Sequence, residues 1–316
     1  MTNTARSGGA LVLGASRGLG LLVATELGRA GYDLAVVARS SEELDEARPQ
    51  LEATGARVTT LPADLSVRQE AGACVDAAAR ELGGLDVVVA CAGVIGVGPL
   101  EALRVEDVVE VHDAVFWATV FPVLRAAEVM RRRGGGRIGI VGSIGGAVPA
   151  PHLLPYTAAK YAVRGFSEAL RTELAPHGVT VTTLMPGLMR TGSPRQALVA
   201  GDREAEFRWF AALDSLPLLS TSAPRAARQV VAATLAGRAE RFLTPAAMLG
   251  ARLHGVAPGL TTRLSGLAAR LLPGPGADPA TAEPGRTLPA QPGWFRALTT
   301  LTRRAEARHQ RGGSAS

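Results

Sequence analysis

The sequence predicts an α/β fold in which helices cover both faces of a doubly wound parallel sheet. Short, continuous apolar runs alternate with helical patterns, as in sheets whose strands are buried on both faces. The first run ends in a glycine-rich turn that leads directly into a helix, which is a Rossmann-like arrangement. The predicted strands cover residues 10–13, 34–38, 58–61, 85–90, 137–141 and 179–184, and the later helices cover roughly 66–82, 101–132, 156–177 and 223–236.

The pattern changes after residue 243 and predicts a C-terminal helical extension. Residues 245–272 form one or two apolar helices that break near Pro258. Residues 273–293 are rich in Pro, Gly and Ala and predict a flexible or semi-extended linker. Residues 294–311 are amphipathic and basic. We therefore expect a main domain at 1–245, a helical extension at 246–272, and a linker with a basic tail at 273–316.

Composition excludes several classes of protein. The net charge is +6, but the positive charges are scattered and no base-stacking pattern accompanies them, so we expect no nucleic-acid partner. Cys74 and Cys91 lie in apolar segments and predict neither a disulfide framework nor a metal site. No signal peptide and no apolar run of spanning length is present, so a cytoplasmic protein is expected.

The glycine-rich turn after the first strand is the candidate cofactor site. Glycines allow the backbone to approach a pyrophosphate, and a helix N-terminus supplies free N–H groups and a favourable dipole. The spacing is G-x-x-x-G-x-G, so a tight turn without a ligand is the alternative. The candidate residues in the turn are Gly14, Ser16, Arg17, Gly18, Leu19 and Gly20.

The end of the second strand favours NADP over NAD. Arg39 and Ser40 stand where an acid would hold the ribose of NAD, and Arg17 gives the 2′-phosphate of NADP a second cation. The alternative is that Arg39 is a solvated surface charge. Asp64 and Leu65 after the third strand are expected at the adenine edge, and Ala92 and Gly93 after the fourth pass close to the cofactor.

Ser143, Tyr156 and Lys160 form the candidate catalytic group. Tyr156 and Lys160 are four residues apart on a predicted helix, so they share a face, and Ser143 follows a strand. We expect the lysine ammonium to lower the pKa of the tyrosine, which can then exchange a proton with a substrate oxygen. Lys160 is the only lysine in the chain, which suggests that this position requires an ammonium, although chance retention is the alternative.

These motifs resemble the classical short-chain dehydrogenase/reductase family over about residues 8–245. The resemblance implies an NAD(P)-dependent oxidoreductase in which Ser143, Tyr156 and Lys160 are catalytic. It also implies that Thr191 and the backbone near Pro186 and Gly187 contact the nicotinamide, and that the protein is a homo-oligomer. The matching segments are 14–20, 64–65, 91–93, Ser143, 156–160, 186–187 and Thr191.

Two positions depart from the family pattern. Val115 stands where the family usually has a helix asparagine whose backbone holds a water beside the lysine. Cys91 stands where the family usually has an asparagine before the Ala92–Gly93 pair. Two hypotheses therefore remain: an NADPH-dependent carbonyl reductase or alcohol dehydrogenase, and a catalytically weakened protein of the same fold that binds NADP or a partner.

Residues 188–219 are expected to form a mobile flap over the substrate, with few buried charges. The flap and the opposite wall are rich in large apolar residues, which favours a lipophilic substrate, although ordinary core packing is the alternative. The apolar residues of the flap and the opposite wall are Val94, Leu153, Leu154, Leu188, Met189, Phe207, Trp209 and Phe210. His152 lies near the site and either contacts substrate or is solvated.

The basic tail is expected to be a membrane-surface helix, a dimer contact or a disordered appendage.

Overall fold

A computed structural model describes residues 8–190, 193–215, 220–276, 282–289, 291 and 299. The strands are β1 Gly8–Leu13, β2 Tyr32–Ala38, β3 Val58–Pro62, β4 Val87–Ala90, β5 Gly96–Val97, β6 Gly136–Val141, β7 Val179–Met185, β8 Leu188–Arg190, β9 Leu198–Val199, β10 Ser220–Ser222, β11 Glu240–Phe242 and β12 Glu283–Pro284. The α-helices are α1 Gly18–Arg29, α2 Ser41–Glu52, α3 Arg68–Glu81, α4 Val105–His112, α5 Ala118–Arg133, α6 Leu154–Leu174, α7 Arg203–Asp214, α8 Ala223–Leu235, α9 Pro245–Val256 and α10 Pro258–Ala269.

The centre of the fold is a parallel sheet of seven of these strands, in the order β3-β2-β1-β4-β6-β7-β11. The chain runs outward from β1 in both directions, so the strand order reverses between β1 and β4. Ligands of such sheets bind at this reversal, outside the carboxyl ends of the strands. The doubly wound parallel sheet is therefore confirmed, and its geometry directs attention to the residues that follow β1, β4 and β6.

Alternate residues of each central strand face two separate apolar cores, which is why the strands are apolar throughout. In β1, Leu11 and Leu13 face a core built with α3, α5 and α6. Ala10 and Val12 face the opposite core, built with α1, α2 and α8. The sheet is thus a buried middle layer between two helical layers, and its strand ends have fixed positions relative to the helices.

The predicted helix over 101–132 is interrupted. Leu100–Ala102 is a separate 3₁₀ turn, and α4 begins only where the Asp107 carboxylate accepts the Arg104 backbone N–H at 2.9 Å. Asp113–Trp117 is a π-helical turn between α4 and α5. Such wide turns occur frequently at functional sites, and this one contains Val115.

A small cap covers the carboxyl ends of the strands, and sequence patterns did not predict its elements. It comprises α7 and the three-stranded sheet β12-β9-β5, with an apolar cluster that includes Val97 and Phe210. The predicted linker over 273–293 contributes β12, which pairs with β9. A Cβ on Gly285 would lie 2.4 Å from the Pro194 carbonyl oxygen and 3.0 Å from the Phe207 ring, so this segment packs closely against the cap. This part of the linker is therefore ordered against the cap rather than extended away from it.

A buried polar cluster joins the cap to the loop before α6. The fully buried Glu206 carboxylate lies 2.7 Å from His152 Nδ1 and accepts the Trp209 indole N–H at 2.6 Å. Burial raises the pKa of Glu206, although the hydrogen bonds from Trp209 and His152 oppose this effect. His152 has a positive φ of 61°, which is strained for a residue with a side chain. His152 is thus neither solvated nor free, and the flap region, where few buried charges were expected, contains a buried carboxyl group.

The turn between β1 and α1 requires glycine for steric reasons, which a pair of variants tests. A Cβ on Gly20 would lie 1.9 Å from the Gly14 carbonyl oxygen, whereas a Cβ on Gly72 in α3 would meet nothing within 4 Å. Gly20→Ala is expected to destabilise the protein by about 1–3 kcal/mol through overpacking. The control Gly72→Ala is expected to stabilise it by about 0.5–1 kcal/mol through helix propensity. Urea denaturation measures both, and equal effects would contradict this packing.

The Glu206 cluster is tested by removing its carboxylate. Glu206→Ala removes the hydrogen-bond partner of His152 Nδ1 and the acceptor of the Trp209 indole N–H, and it is expected to cost about 1–3 kcal/mol of unfolding free energy. The control Glu204→Ala removes a half-exposed ion pair with Arg208, which is worth about 0–1 kcal/mol. Glu206→Gln is expected to recover most of the loss because an amide can accept and donate. Thermal and urea unfolding provide the measurements, and equal losses for the two alanine variants would refute the cluster's role.

Candidate active site

Ser143, Tyr156 and Lys160 meet at the carboxyl end of β6, as predicted. β6 ends at Val141 and Ser143 follows it, while Tyr156 and Lys160 lie one turn apart on α6. Lys160 is buried, and its Nζ donates a hydrogen bond to the Val141 carbonyl oxygen at 2.9 Å. The same Nζ lies 5.8 Å from the centre of the Tyr156 ring. The strand end therefore positions the ammonium beside the tyrosine.

Two glycines after Ser143 allow the loop that carries this serine to lie close to α6. The Ser143 hydroxyl accepts the Gly145 N–H at 3.1 Å, and it lies close enough to the Tyr156 phenol to lower the pKa of that group. A Cβ on Gly145 would lie 3.4 Å from the Tyr156 ring, and one on Gly146 would lie 2.5 Å from the Lys160 carbonyl oxygen. A side chain at Gly146 would push α6 away from the loop, so glycine there keeps the hydroxyl, the phenol and the ammonium together.

The electrostatics of the pair differ from the expectation that Lys160 lowers the pKa of Tyr156. Burial raises the pKa of the half-buried Tyr156, and the hydrogen bond from Ser143 only partly offsets this. Burial also lowers the pKa of Lys160 to about 8. The physical reason is that desolvation penalises each charged form, while the ammonium hydrogen-bonds to Val141 rather than to the phenol. At neutral pH the protein therefore holds a neutral phenol beside a mostly protonated lysine.

The two positions that depart from the family pattern both lie near the Lys160 ammonium. A Cβ on Gly93 would lie 3.7 Å from Lys160 Nζ and 3.8 Å from the Val115 side chain, so Gly93 lies between these two residues. Burial raises the pKa of the Cys91 thiol to about 12, although Lys160 opposes the shift. The cysteine is thus a neutral neighbour of the ammonium. The Val115 carbonyl accepts the Thr119 hydroxyl at 2.8 Å.

The turn after β1 has the shape of a phosphate cradle. Gly14 has φ +77°, and a Cβ added to it would lie 2.7 Å from the Ala92 backbone, so the ends of β1 and β4 are in contact. Gly18 has φ +58° and begins α1, in which the N–H of Leu21 is the first to bond within the helix. The N–H groups of Gly18, Leu19 and Gly20 therefore remain for an anion. This geometry fits a dinucleotide pyrophosphate.

The structure brings an acid, Glu43, to this turn. Its carboxylate accepts the Ser16 hydroxyl at 2.7 Å and forms an ion pair with Arg17. Ser40 caps α2 by accepting the Glu43 N–H at 3.0 Å. The Ser40-x-x-Glu43 spacing is the available sequence signal, since it indicates a capping box whose glutamate turns back to the cap. Glu43 instead reaches a turn that lies 26 residues earlier in the sequence.

The other predicted cofactor residues lie along the same edge of the sheet. Arg39 is exposed at the end of β2 and is close enough to Asp64 to favour its charged form. Burial opposes ionisation of Asp64, but hydrogen bonds from Ser66 outweigh it and lower the pKa. The Leu65 side chain belongs to the core, so only its backbone faces the edge.

The loop after β7 closes the other side of the site. The Pro186 carbonyl accepts the N–H of Ile144, which directly follows Ser143, at 2.7 Å. Pro186 is buried and Gly187 is half-buried. The loop that was expected at the nicotinamide therefore touches the loop that carries the serine. Thr191 lies outside the described residues.

The expected substrate wall divides into core residues and residues near the site. Phe210 is buried in the cap cluster, with Leu153 and Trp209 packed against it, so ordinary packing explains these residues. Leu154 is 49% exposed at the start of α6. The remaining predicted residues are partly buried, namely Val94, Leu188, Met189 and Phe207.

The described residues contain neither a candidate metal site nor a candidate membrane span. No group of three or more potential metal ligands occurs within them. None of the helices that the structure describes has the length and apolar character needed to cross a membrane.

Comparison with known proteins identifies the family. The short chain dehydrogenase family profile matches residues 9–198. Gluconate 5-dehydrogenase of Gluconobacter oxydans is 32% identical over 182 residues, which are 58% of this chain and 71% of that protein. Glycine betaine reductase ATRR of Emericella nidulans is 34% identical over 178 residues, or 56% of this chain, which spans only 14% of that relative.

The similarity extends to the three-dimensional structure. A crystal structure of a variant actinorhodin polyketide ketoreductase with NADPH superposes with a TM-score of 0.67 and 29% identity, covering 77% of this chain and 97% of the other. A short-chain alcohol dehydrogenase structure from Sinorhizobium meliloti superposes equally well, at 30% identity, and covers 77% and 97% of the two chains. The chain therefore belongs to the short-chain dehydrogenase/reductase family and is an oxidoreductase.

Proposed function

We propose that this oxidoreductase is an NADPH-dependent carbonyl reductase or alcohol dehydrogenase that acts on a lipophilic hydroxy or keto substrate. The observation that supports it most is the contact between a neutral Tyr156 phenol, the Ser143 hydroxyl and the buried Lys160 ammonium. A proton donor, a hydrogen-bond donor and a fixed positive charge at the end of one strand are what carbonyl reduction requires.

In this mechanism the bound cofactor supplies a hydride. Tyr156 donates its proton to the substrate oxygen during reduction and accepts one during oxidation. The Ser143 hydroxyl hydrogen-bonds to the same oxygen as negative charge develops there. Lys160 holds a positive charge beside the phenol, and its bond to Val141 keeps that charge in place as the proton leaves.

Two arginines support NADP as the cofactor. Arg39 is exposed beside the edge of the sheet, and Arg17 lies in the phosphate turn. Glu43 now holds Arg17, so binding of a 2′-phosphate requires Arg17 to exchange that carboxylate for the ligand. The ketoreductase whose structure resembles this chain was crystallised with NADPH. NAD remains the alternative because Glu43 is an acid close to the expected ribose position.

The substrate proposal depends on this chain's own residues, because the names of the relatives refer to different substrates, glycine betaine and gluconate. Leu188 and Met189 follow Gly187, and neither side chain is fully buried. An apolar rim of this kind favours a lipophilic carbonyl compound.

We also propose a homo-oligomer, since α4, α5 and the turn between them expose Val105, Val109, Trp117 and Leu124.

The competing function is a weakened protein of the same fold that binds NADP or a partner. The observations that favour it are Val115 beside Gly93 and Cys91 near Lys160. NADPH oxidation with a panel of aldehydes, ketones and quinones separates the two functions. Tight NADPH binding without turnover of any compound would establish the competing function.

Tyr156→Phe tests the proposed acid directly. Removal of the phenol hydroxyl is expected to lower kcat by about 10²–10⁴-fold, the usual contribution of a general acid, while NADPH affinity changes little. Tyr161→Phe is a matched control, since Tyr161 lies on the same helix and is 38% exposed. Steady-state rates and NADPH fluorescence titration give the two readouts. A Tyr156→Phe enzyme with wild-type kcat would exclude Tyr156 as the proton donor.

Arg39→Gln tests the cofactor. Loss of a charge-assisted bond to the 2′-phosphate is expected to weaken NADPH binding by about tenfold or more and to leave NADH binding unchanged. Arg29→Gln, on the exposed last turn of α1, makes the same change in net charge away from the site. Titration of both cofactors into each variant provides the comparison. If Arg39→Gln weakens the binding of NADPH and of NADH equally, Arg39 does not bind the 2′-phosphate.

A further inference from the structure

The helices α9 and α10 expose a large apolar surface that the proposed function does not use. Within α9 only Ala247 is buried, and within α10 no residue is. The exposed fractions of the large apolar residues on 248–271 range from 47% to 88%, which is far above what packing in a core leaves. These residues are Met248, Leu249, Leu253, Val256, Leu260, Leu264, Leu267 and Leu271.

The exposed residues follow the periodicity of a helix face. Leu249, Leu253 and Val256 are spaced by four and three residues on α9. On α10 the same spacing relates Leu260, Leu264 and Leu267, and Leu271 continues the row after the helix. Residues at i, i+4 and i+7 lie on one side of a helix. Each helix therefore presents a row of large apolar side chains to solvent.

The two helices are held to each other and to the catalytic loop. His254 Nδ1 lies 2.7 Å from the Thr261 hydroxyl oxygen, which links α9 to α10. The Ser265 hydroxyl donates to the Pro149 carbonyl at 3.3 Å, and a Cβ on Gly250 would lie 3.9 Å from Val148. Val148 and Pro149 belong to the segment between Ser143 and Tyr156. The exposed surface is thus attached beside the active site.

The charges on these helices have one sign. Arg252, Arg263 and Arg270 are exposed, and residues 241–277 contain no Asp or Glu. At 100° per residue each arginine lies on the same flank of its apolar row, since each follows a row residue by three positions. An apolar face bordered by arginines is the pattern of a helix that lies in the interface of an anionic membrane.

We propose that this apolar–basic surface, α9 and α10 with Leu271, docks the protein on an anionic phospholipid bilayer. The helices lie in the membrane interface and do not cross it. A second copy of the chain fits this surface less well, because a two-fold contact would bring its arginines together without any acid from this segment. The chain's own tail fits poorly too, since residues 294–311 contain Arg296, Arg303, Arg304, Arg308 and Arg311 against the single acid Glu306.

Docking in this orientation has a consequence for the active site. The surface is fixed to residues 148–149, so docking would bring the loop that carries Ser143 close to the bilayer interface. A lipophilic carbonyl compound concentrates in that interface and would reach the site without crossing water. This consequence depends on the proposed function, whereas the docking itself does not.

Vesicle flotation of the full-length protein tests the docking. Wild-type protein is expected to float with phosphatidylcholine vesicles that contain phosphatidylglycerol and to stay unbound with phosphatidylcholine alone or in high salt. Leu260→Glu with Leu264→Glu is expected to lower binding by about tenfold or more. Replacing Arg252, Arg263 and Arg270 by Gln is expected to lower it by about fivefold per arginine.

A matched control makes the same charge change on other exposed apolar residues. Leu100 is 68% exposed and Val67 is 40% exposed, both outside the C-terminal helices and outside the proposed oligomer surface. Leu100→Glu with Val67→Glu should bind vesicles like the wild type. Thermal unfolding and NADPH oxidation with a water-soluble aldehyde check that each variant is folded. Flotation does not require turnover, so it distinguishes failure of the docking from failure of the proposed function.

Three outcomes would overturn the proposal. The first is wild-type protein that does not float with anionic vesicles. The second is a Leu260→Glu, Leu264→Glu variant that floats normally while replacement of Arg303, Arg304 and Arg308 by Gln abolishes binding, which would assign the contact to the tail. The third is a smaller oligomer of the leucine variant in sedimentation velocity, with vesicle binding unchanged, which would show that a second copy covers the surface.

Discussion

The structure of the candidate active site depends on burying one ammonium group. Lys160 is 5% exposed, and its Nζ donates to the Val141 carbonyl at the end of β6. A buried charge is costly unless it is hydrogen-bonded, so α6 must stay in register with that strand end. Gly146 permits this contact, because a side chain there would strike the Lys160 backbone. The position of Tyr156 is then determined, since it lies one turn away on the same helix.

Much of the fold could be predicted because its causes are local. The inner strands β1, β2 and β4 are short, mostly apolar runs, and two-faced burial explains them without knowledge of their partners. The seventh strand, β11, has the sequence Glu-Arg-Phe and carries no apolar run. It is a strand only because it pairs with β7. The cap helix α7 and the paired strand β12 were missed for the same reason, since distant contacts stabilise them.

In the candidate site too, features with local causes could be predicted and features that depend on distant contacts could not. Tyr156 and Lys160 could be predicted as a pair because helical spacing alone brings them together. Glu43 and Glu206 could not, since Glu43 contacts a turn 26 residues away and Glu206 contacts His152 across 54 residues. The pKa of Tyr156 was predicted in the wrong direction because sequence reveals the nearby charge but not the extent of burial. Proximity in sequence thus identified the chemical groups but not their environment.

At Val115 the sequence departs from the family pattern, but the structure keeps a backbone carbonyl that can accept a hydrogen bond. Val115 lies in a π-helical turn, and its carbonyl accepts the Thr119 hydroxyl at 2.8 Å. A carbonyl oxygen has two lone pairs, so this bond leaves one acceptor site on the same atom. The family pattern uses the backbone at this position, and the Val115 side chain lies beside Gly93, which in turn lies beside Lys160. The valine therefore removes an amide side chain but not the acceptor, which favours a working enzyme over a protein that only binds cofactor.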